Sequence, residues 1–290
     1  MEFWLATAMM NDLAEFPEVA RAAEAAGFAG VAVADHVVMP EQIESKYPYS
    51  DAGEFPYREI AWPDPWVAIG AMAGATSTLQ FTTNIYILPL RNPFVVAKQI
   101  STASAISGDR VSVGFGAGWM KEEFDLLEQR FSRRGARMEE MIEILRKLWS
   151  ADGPVEHHGE FYDFAPLTMN PVPARPVPIY IGGATDLAIR RATTLGDGWI
   201  GLYYTTDEVW DEIARIKAGL DAAGRSIDDF HIGLSVIGSP EPELVASLAD
   251  AGVDALFTIP WLMEGNFAPS LDEKCASLEN YGKQFVAPLG

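Results

Sequence analysis

Asp35 and His36 stand side by side at the end of an apolar run, Val31-Ala32-Val33-Ala34. That run follows a helix-like segment and the turn Gly27-Phe28-Ala29-Gly30. A short apolar run after a helix reads as a buried parallel strand, and the carboxyl ends of such strands are where α/β sheets hold ligands. Two ionisable groups there point to chemistry rather than packing. An imidazole that titrates near neutrality suits proton transfer, so His36 is the candidate catalytic residue. Its alternative is a structural bond to a backbone carbonyl. Asp35 orients His36, bonds a ligand ring, or caps the next turn. The other histidines offer less. His231 lies inside a strand pattern, and the adjacent His157-His158 pair has no third ligand at a chelating spacing, so no metal site is expected. No Ser-His-Asp arrangement or P-loop is present.

Two glycine turns accompany that pair. Gly114-Phe115-Gly116-Ala117-Gly118 removes Cβ atoms from an arc of backbone after a strand, which would let a flat ring lie against the main chain. Trp119 at the sixth position breaks the dinucleotide fingerprint. Tight turning alone is the other reading. Gly182-Gly183-Ala184 joins a strand to a helix start, where bare N–H groups and the helix dipole suit a phosphate. The basic run Arg133-Arg134 and Arg137 reads as a solvated helix face paired with Glu139, Glu140 and Glu143.

These residues need a scaffold that brings strand ends together. Strand patterns fall at 3–9, 31–34, 79–88, 110–115, 178–181, 198–201, 230–237 and 255–259. Helix patterns fall at 16–26, 64–76, 92–106, 134–149, 186–195, 207–223, 242–251 and 271–285, with a short helix at 122–129. Eight strand–helix units predict an α/β fold, a closed (β/α)8 TIM barrel in one domain spanning 1–290. A doubly wound open sheet is the alternative. Insertions interrupt the rhythm at about 39–63 and 150–176, the second with a hairpin at 155–164. The barrel mouth then collects Thr7 and Met9, Asp35 and His36, Thr83-Asn84-Ile85, the two glycine turns, and the tryptophans Trp62, Trp66, Trp119 and Trp261. Such an aromatic mouth suits an apolar or flat organic substrate.

The 290 residues are 49% hydrophobic, so a large core is available, and no spanning apolar run occurs. The start of the chain reads as a first strand, not a signal peptide. The formal charge is −20, from 21 basic and 41 acidic residues. That disfavours nucleic acid and anionic membranes as partners and leaves any anionic ligand to local donors. A single cysteine, Cys275, allows no internal disulfide and agrees with a cytoplasmic setting.

An ordered set of motifs resembles the bacterial luciferase-like superfamily of flavin- and deazaflavin-dependent oxidoreductases. It comprises Gly27-Phe28 with Val33-Ala34-Asp35-His36, Ala75-Thr76-Ser77 before Thr83-Asn84-Ile85, and Leu88-Pro89-Leu90-Arg91-Asn92-Pro93. Ala97-Lys98-Gln99, Ser107-Gly108-Asp109-Arg110, and Gly116-Ala117-Gly118-Trp119 with Glu122-Glu123-Phe124 follow. Ile181-Gly182-Gly183 and Leu195-Gly196-Asp197-Gly198-Trp199 complete it. The resemblance is strong over 1–201 and weaker beyond. The Asp-His pair and the Leu-Pro-Leu-Arg-Asn-Pro form are similar to the branch that uses coenzyme F420. It implies a deazaflavin ring in the barrel mouth, over a bulge with a non-proline cis peptide at Asn84-Ile85. Asp35, His36, Asn84, Ile85 and Gly116-Ala117-Gly118 would then be cofactor-binding, with Gly182-Gly183-Ala184 at the phosphate. It also implies hydride transfer to or from a small organic substrate, with Asp35 and His36 catalytic, and a homodimer. Trp119 stands where sugar-phosphate dehydrogenases of the superfamily carry a glutamate, so that activity is not expected. An FMN-dependent monooxygenase is the alternative within the resemblance, and a cofactor-binding protein without turnover is another.

Overall fold

Short apolar strands alternate with capped helices along the chain. The computed structural model describes residues 1–50, 52–150, 152–238 and 241–290, so each predicted insertion contains one residue outside that set. β1 (Glu2–Ala6) leads into α1 (Phe16–Ala25), and β2 (Gly30–Val33) is followed, after the first insertion, by α2 (Pro65–Ala73). β3 (Gln80–Thr83) and β4 (Tyr86–Ile87) precede α3 (Pro93–Ser107). β5 (Val113–Gly116) precedes α4 (Lys121–Leu126) and α5 (Arg134–Ser150). The second insertion carries the antiparallel hairpin β6 (Val155–His158) and β7 (Asp163–Leu167). Then come β8 (Ile179–Gly182), α6 (Asp186–Leu195), β9 (Gly198–Tyr204), α7 (Glu208–Ala223), β10 (His231–Val236), α8 (Pro242–Asp250), β11 (Ala255–Thr258), α9 (Pro260–Met263) and α10 (Leu271–Tyr281).

Local chemistry sets the helix starts. The Asp64 carboxylate accepts the N–H groups of Trp66 and Val67 at 3.0 Å, ahead of Pro65 in the first turn. Asn92 caps α3 before Pro93 in the same way, and Gly108 ends it with φ +72°. Such caps satisfy donors that a helix leaves unpaired. The last helix, expected to reach residue 285, ends at Tyr281 and continues as a π turn over Gly282–Val286. A Cβ at Gly282 would sit 2.5 Å from Ala26 O at the end of α1, so the chain is pressed closely there.

The nine strands of the main sheet run in the order β3-β2-β1-β11-β10-β9-β8-β5-β4, all parallel. The predicted strand at 79–88 is split. Its lower half, β3, pairs with β2, and its upper half, β4, pairs with β5. The break falls at Asn84–Ile85, whose peptide bond is cis. Below the break, Phe81 N–H donates to Arg110 O at 2.8 Å and Ser112 N–H to Phe81 O at 2.9 Å. The Thr83 hydroxyl donates to Gly114 O at 2.9 Å. These bonds close the ring, so β3 and β4 together fill one of eight barrel positions and the open-sheet alternative is ruled out. The main core lies between sheet and helices, and a second cluster around Trp4, Ala32, Ile200, Ala255 and Phe257 fills the barrel interior. Among the described residues no helix is long and apolar enough to cross a membrane.

Glu24 ties α1 to the start of β3. Its Oε1 accepts N–H groups from Ser77, Thr78 and Leu79 at 2.8, 2.6 and 3.0 Å, and the Thr78 hydroxyl at 3.0 Å. These donors, Thr78 N–H foremost, hold the carboxyl at about 2 against an ordinary 4.5. A carboxyl whose pKa is lowered by folding contributes stability that is whole above the unfolded value and is lost as pH falls toward the folded one. Glu24→Gln is therefore expected to flatten the loss of stability between about pH 4.5 and 2. Urea midpoints across that range check this, and an unchanged slope contradicts it.

Candidate active site at the barrel mouth

The carboxyl ends of the barrel strands surround a cavity of about 1180 Å³. That exceeds the roughly 300–1,000 Å³ of a pocket for one small ligand, so two molecules fit side by side. Strand parity decides what reaches it. Ala6 and Ala8 line the cavity, whereas Thr7 points away and donates to Ala32 O at 3.1 Å. The expected presentation of Thr7 and Met9 is thus corrected: the strand ends at Ala6, and Met9, at φ +70°, is off the wall.

His36 is on the wall, and a side chain 87 residues away holds it. Nδ1 lies 3.1 Å from Oε2 of Glu123, a carboxylate on α4 with no solvent exposure. The other oxygen of Glu123 accepts Val37 N–H at 2.6 Å and Val38 N–H at 3.4 Å. Glu122 likewise accepts Glu44 N–H and Ser45 N–H at 2.8 and 2.9 Å. Two consecutive carboxylates thereby pin the first insertion over the mouth. With Nδ1 engaged, Nε2 is the nitrogen left for a ligand. Phe55, Trp62 and Trp119 meet the imidazole edge-on at 5.3, 4.9 and 6.3 Å.

Asp35 does not orient its neighbour. It takes a two-point pair from Arg91, at 2.5 Å and 2.7 Å, and accepts Ile87 N–H at 2.9 Å. Burial pushes this carboxyl above the ordinary aspartate value, and the Arg91 charge opposes that push. Arg91 also covers the Tyr86 ring at 4.2 Å. The bond to Ile87 N–H replaces a sheet rung where β4 has parted from β2. Asp35 thus supports the split strand, and of the three tasks open to it in the sequence, orienting His36 falls to Glu123. The only signal for Glu123 was its place after Gly118-Trp119 in a run of acids.

The glycines have an occupant of their own. A Cβ on Gly182 would collide with Ile85 Cδ1, and one on Gly116 would lie 3.0 Å from Ile85 Cγ2. The missing side chains therefore make room for Ile85, rather than only for a ring. Gly182→Ala is expected to cost about 1–3 kcal/mol through overpacking and to displace Ile85 from the cavity wall. Denaturant unfolding measures the first, and a loss below about 0.5 kcal/mol would mean the wedge is loose.

Anion chemistry gathers at one part of the wall. Gly183, at φ +117°, turns the chain into α6, where the Thr185 hydroxyl caps Ala188 N–H at 3.2 Å. Arg133, Arg134 and Arg191 also line the cavity. The reading of the basic run as a solvated face holds for Arg133, which is exposed, and is corrected for Arg134 and Arg137 and for the acids expected to pair with it. Arg191 and Arg190 take Glu139 at 2.7 and 3.2 Å, and Arg133 pairs with Glu160. Arg137 is buried and donates to Pro89 O at 2.8 Å. Arg134 donates to Gly118 O at 2.8 Å and has no carboxylate partner among the described residues. Burial and the neighbouring Arg191 charge push it below the ordinary arginine value. Near Ile85, Asn84 Oδ1 is buried without a hydrogen-bond partner, an acceptor whose burial is costly unless a ligand donates to it.

Asn84, Ile85, Gly116, Ala117, Gly118, Gly182, Gly183 and Ala184 thus come together with Asp35 and His36 around one cavity. Trp62 and Trp119 join them, but Trp66 and Trp261 do not. Trp66 faces inward from α2 against Tyr86, and Trp261 is 1% exposed in the core. Among the described residues no three His, Cys, Asp or Glu side chains are grouped as metal ligands.

An uncharacterized protein of Mycobacterium tuberculosis is 34% identical to this chain over 293 residues, covering 100% of both chains. The F420-dependent glucose-6-phosphate dehydrogenase of Tsukamurella paurometabola is 30% identical over 243 residues, covering 79% of this chain and 66% of that enzyme. The monooxygenase RslO1 from Streptomyces bottropensis superposes with a TM-score of 0.76 at 18% identity, over 100% of each chain. By name, the Tsukamurella paurometabola protein is a dehydrogenase and RslO1 a monooxygenase. The family model of luciferase-like monooxygenases matches residues 2–259, and the chain belongs to that family.

Proposed function

We propose that this protein is an oxidoreductase that uses coenzyme F420 to move a hydride to or from a small organic substrate. The observation that carries the reading is His36, fixed at Nδ1 by buried Glu123 with Nε2 left for the cavity. The residues fit a deazaflavin. The orphaned Asn84 Oδ1 suits a ring N–H, the Ile85 side chain gives the ring an apolar surface, and the start of α6 with Arg134 suits a phosphate. When bound, the deazaflavin supplies a ring carbon that accepts or gives a hydride. The protein does the rest. His36 takes or returns a hydroxyl proton at Nε2, and Glu123 holds the imidazole in orientation and faces the charge it gains. Phe55, Trp62 and Trp119 keep water from the histidine. The relative named as an F420-dependent dehydrogenase supports this choice of cofactor.

An FMN-dependent monooxygenase is the second reading, favoured by the family's description. Titration of the protein with F420 and with FMN, each oxidised and reduced, separates the two by the cofactor's own absorbance. F420 is expected to bind, and Arg134→Gln to weaken it by about tenfold or more, the loss of one charge-assisted contact. Binding of FMN alone moves the assignment to the monooxygenase, and binding of neither refutes both.

A further inference from the structure

The charges on the cavity wall are almost all spoken for. Of its three arginines, Arg133 is paired with Glu160 and Arg191 with Glu139. Arg134 alone lacks a carboxylate among the described residues, and it lies within reach of Arg191 beside the first turn of α5. That region can neutralise one anionic group. Under the function proposed above, on which this inference rests, the cofactor phosphate takes it.

The wall around His36 is of another kind. Tyr47 and Phe55 from the first insertion pack on Trp119 at 5.2 and 5.3 Å from ring to ring, and Phe55 also meets Tyr47 at 5.0 Å and Trp62 at 6.2 Å. No lysine or arginine belongs to this cluster, and any charge on His36 already faces Glu123 at 3.1 Å. Burial, foremost, pushes the Tyr47 and Tyr203 phenols upward, so these rings stay neutral at ordinary pH. The Trp62 Nε1 donor is buried without an acceptor. A carboxylate or phosphate placed there would be desolvated with no counter-charge, inside a chain of net charge −20. A ring would instead find aromatic surface, and an oxygen on it would find Nε2 of His36, which accepts from a hydroxyl when the imidazole is neutral and donates to a carbonyl when it is protonated.

We infer that the second molecule taken by this cavity is an uncharged cyclic or aromatic alcohol or carbonyl compound, and that anionic substrates are rejected. Acetophenone and 4-acetylbenzoate share ring and carbonyl and differ by one carboxylate. Calorimetric titration of each, with inorganic phosphate present to fill the Arg134 region, is expected to rank acetophenone tighter by about tenfold or more. Equal or tighter binding of 4-acetylbenzoate, or binding of neither probe, overturns the inference. Trp119→Ala is expected to weaken acetophenone by about fivefold through lost ring contact, and undiminished affinity overturns the placement. Cofactor binding is read separately from cofactor absorbance. Loss of that signal counts against the proposed function, whereas only the ranking of the probes bears on the charge of the second ligand.

Discussion

Asp35→Ala should remove about 3–5 kcal/mol of stability, the usual result of leaving a buried charge without its partner. The Arg91 guanidinium, only 16% exposed, would lose both of its carboxylate contacts. Ile87 N–H would lose its acceptor at the point where β4 has no neighbour on the β2 side. Asp35→Asn keeps an acceptor for Ile87 N–H and should fall between the parent and the alanine variant. Urea unfolding followed by circular dichroism decides the matter. A loss under about 1 kcal/mol, the range of an exposed ion pair, would show that the pair is solvated.

His36→Ala should bind cofactor within about threefold of the parent but turn over about 10²–10⁴-fold more slowly, the usual share of a positioned acid or base. Glu123 acts through the imidazole. Glu123→Gln retains a side-chain oxygen for Val37 N–H but not the negative charge opposite His36. It should lower kcat by about tenfold with KM little changed, the sign of an interaction made mainly in the transition state. A merely structural role would instead lower stability and raise KM. Stopped-flow absorbance of the loaded enzyme with a uncharged ring substrate supplies both constants. Full turnover by His36→Ala would remove histidine from the chemistry.

The barrel was legible because each of its elements carries local signals. Apolar strands precede Asp-Pro, Asn-Pro and Gly-Gly starts that cap or open the next helix. The location of the mouth followed from the chain order of strand ends. The side-chain pairings did not follow, because they are long-range. Arg91 reaches Asp35 across 56 residues and Glu123 reaches His36 across 87, and no periodicity encodes such partners. The glycine pattern was visible, but the Ile85 side chain that occupies its space could be placed only in three dimensions. Trp66 and Trp261 were misplaced for a related reason: a large aromatic near a strand end serves the core as readily as a pocket.

Ile85 has a consequence for how this lineage can diversify. Gly116 and Gly182 leave a notch that its side chain fills from the third barrel position. Bulk added at one of these three sites must be surrendered at another. Orthologues should therefore exchange sizes among them as a set, and a family member with alanine at the Gly182 position should carry valine or a smaller residue where this chain has isoleucine.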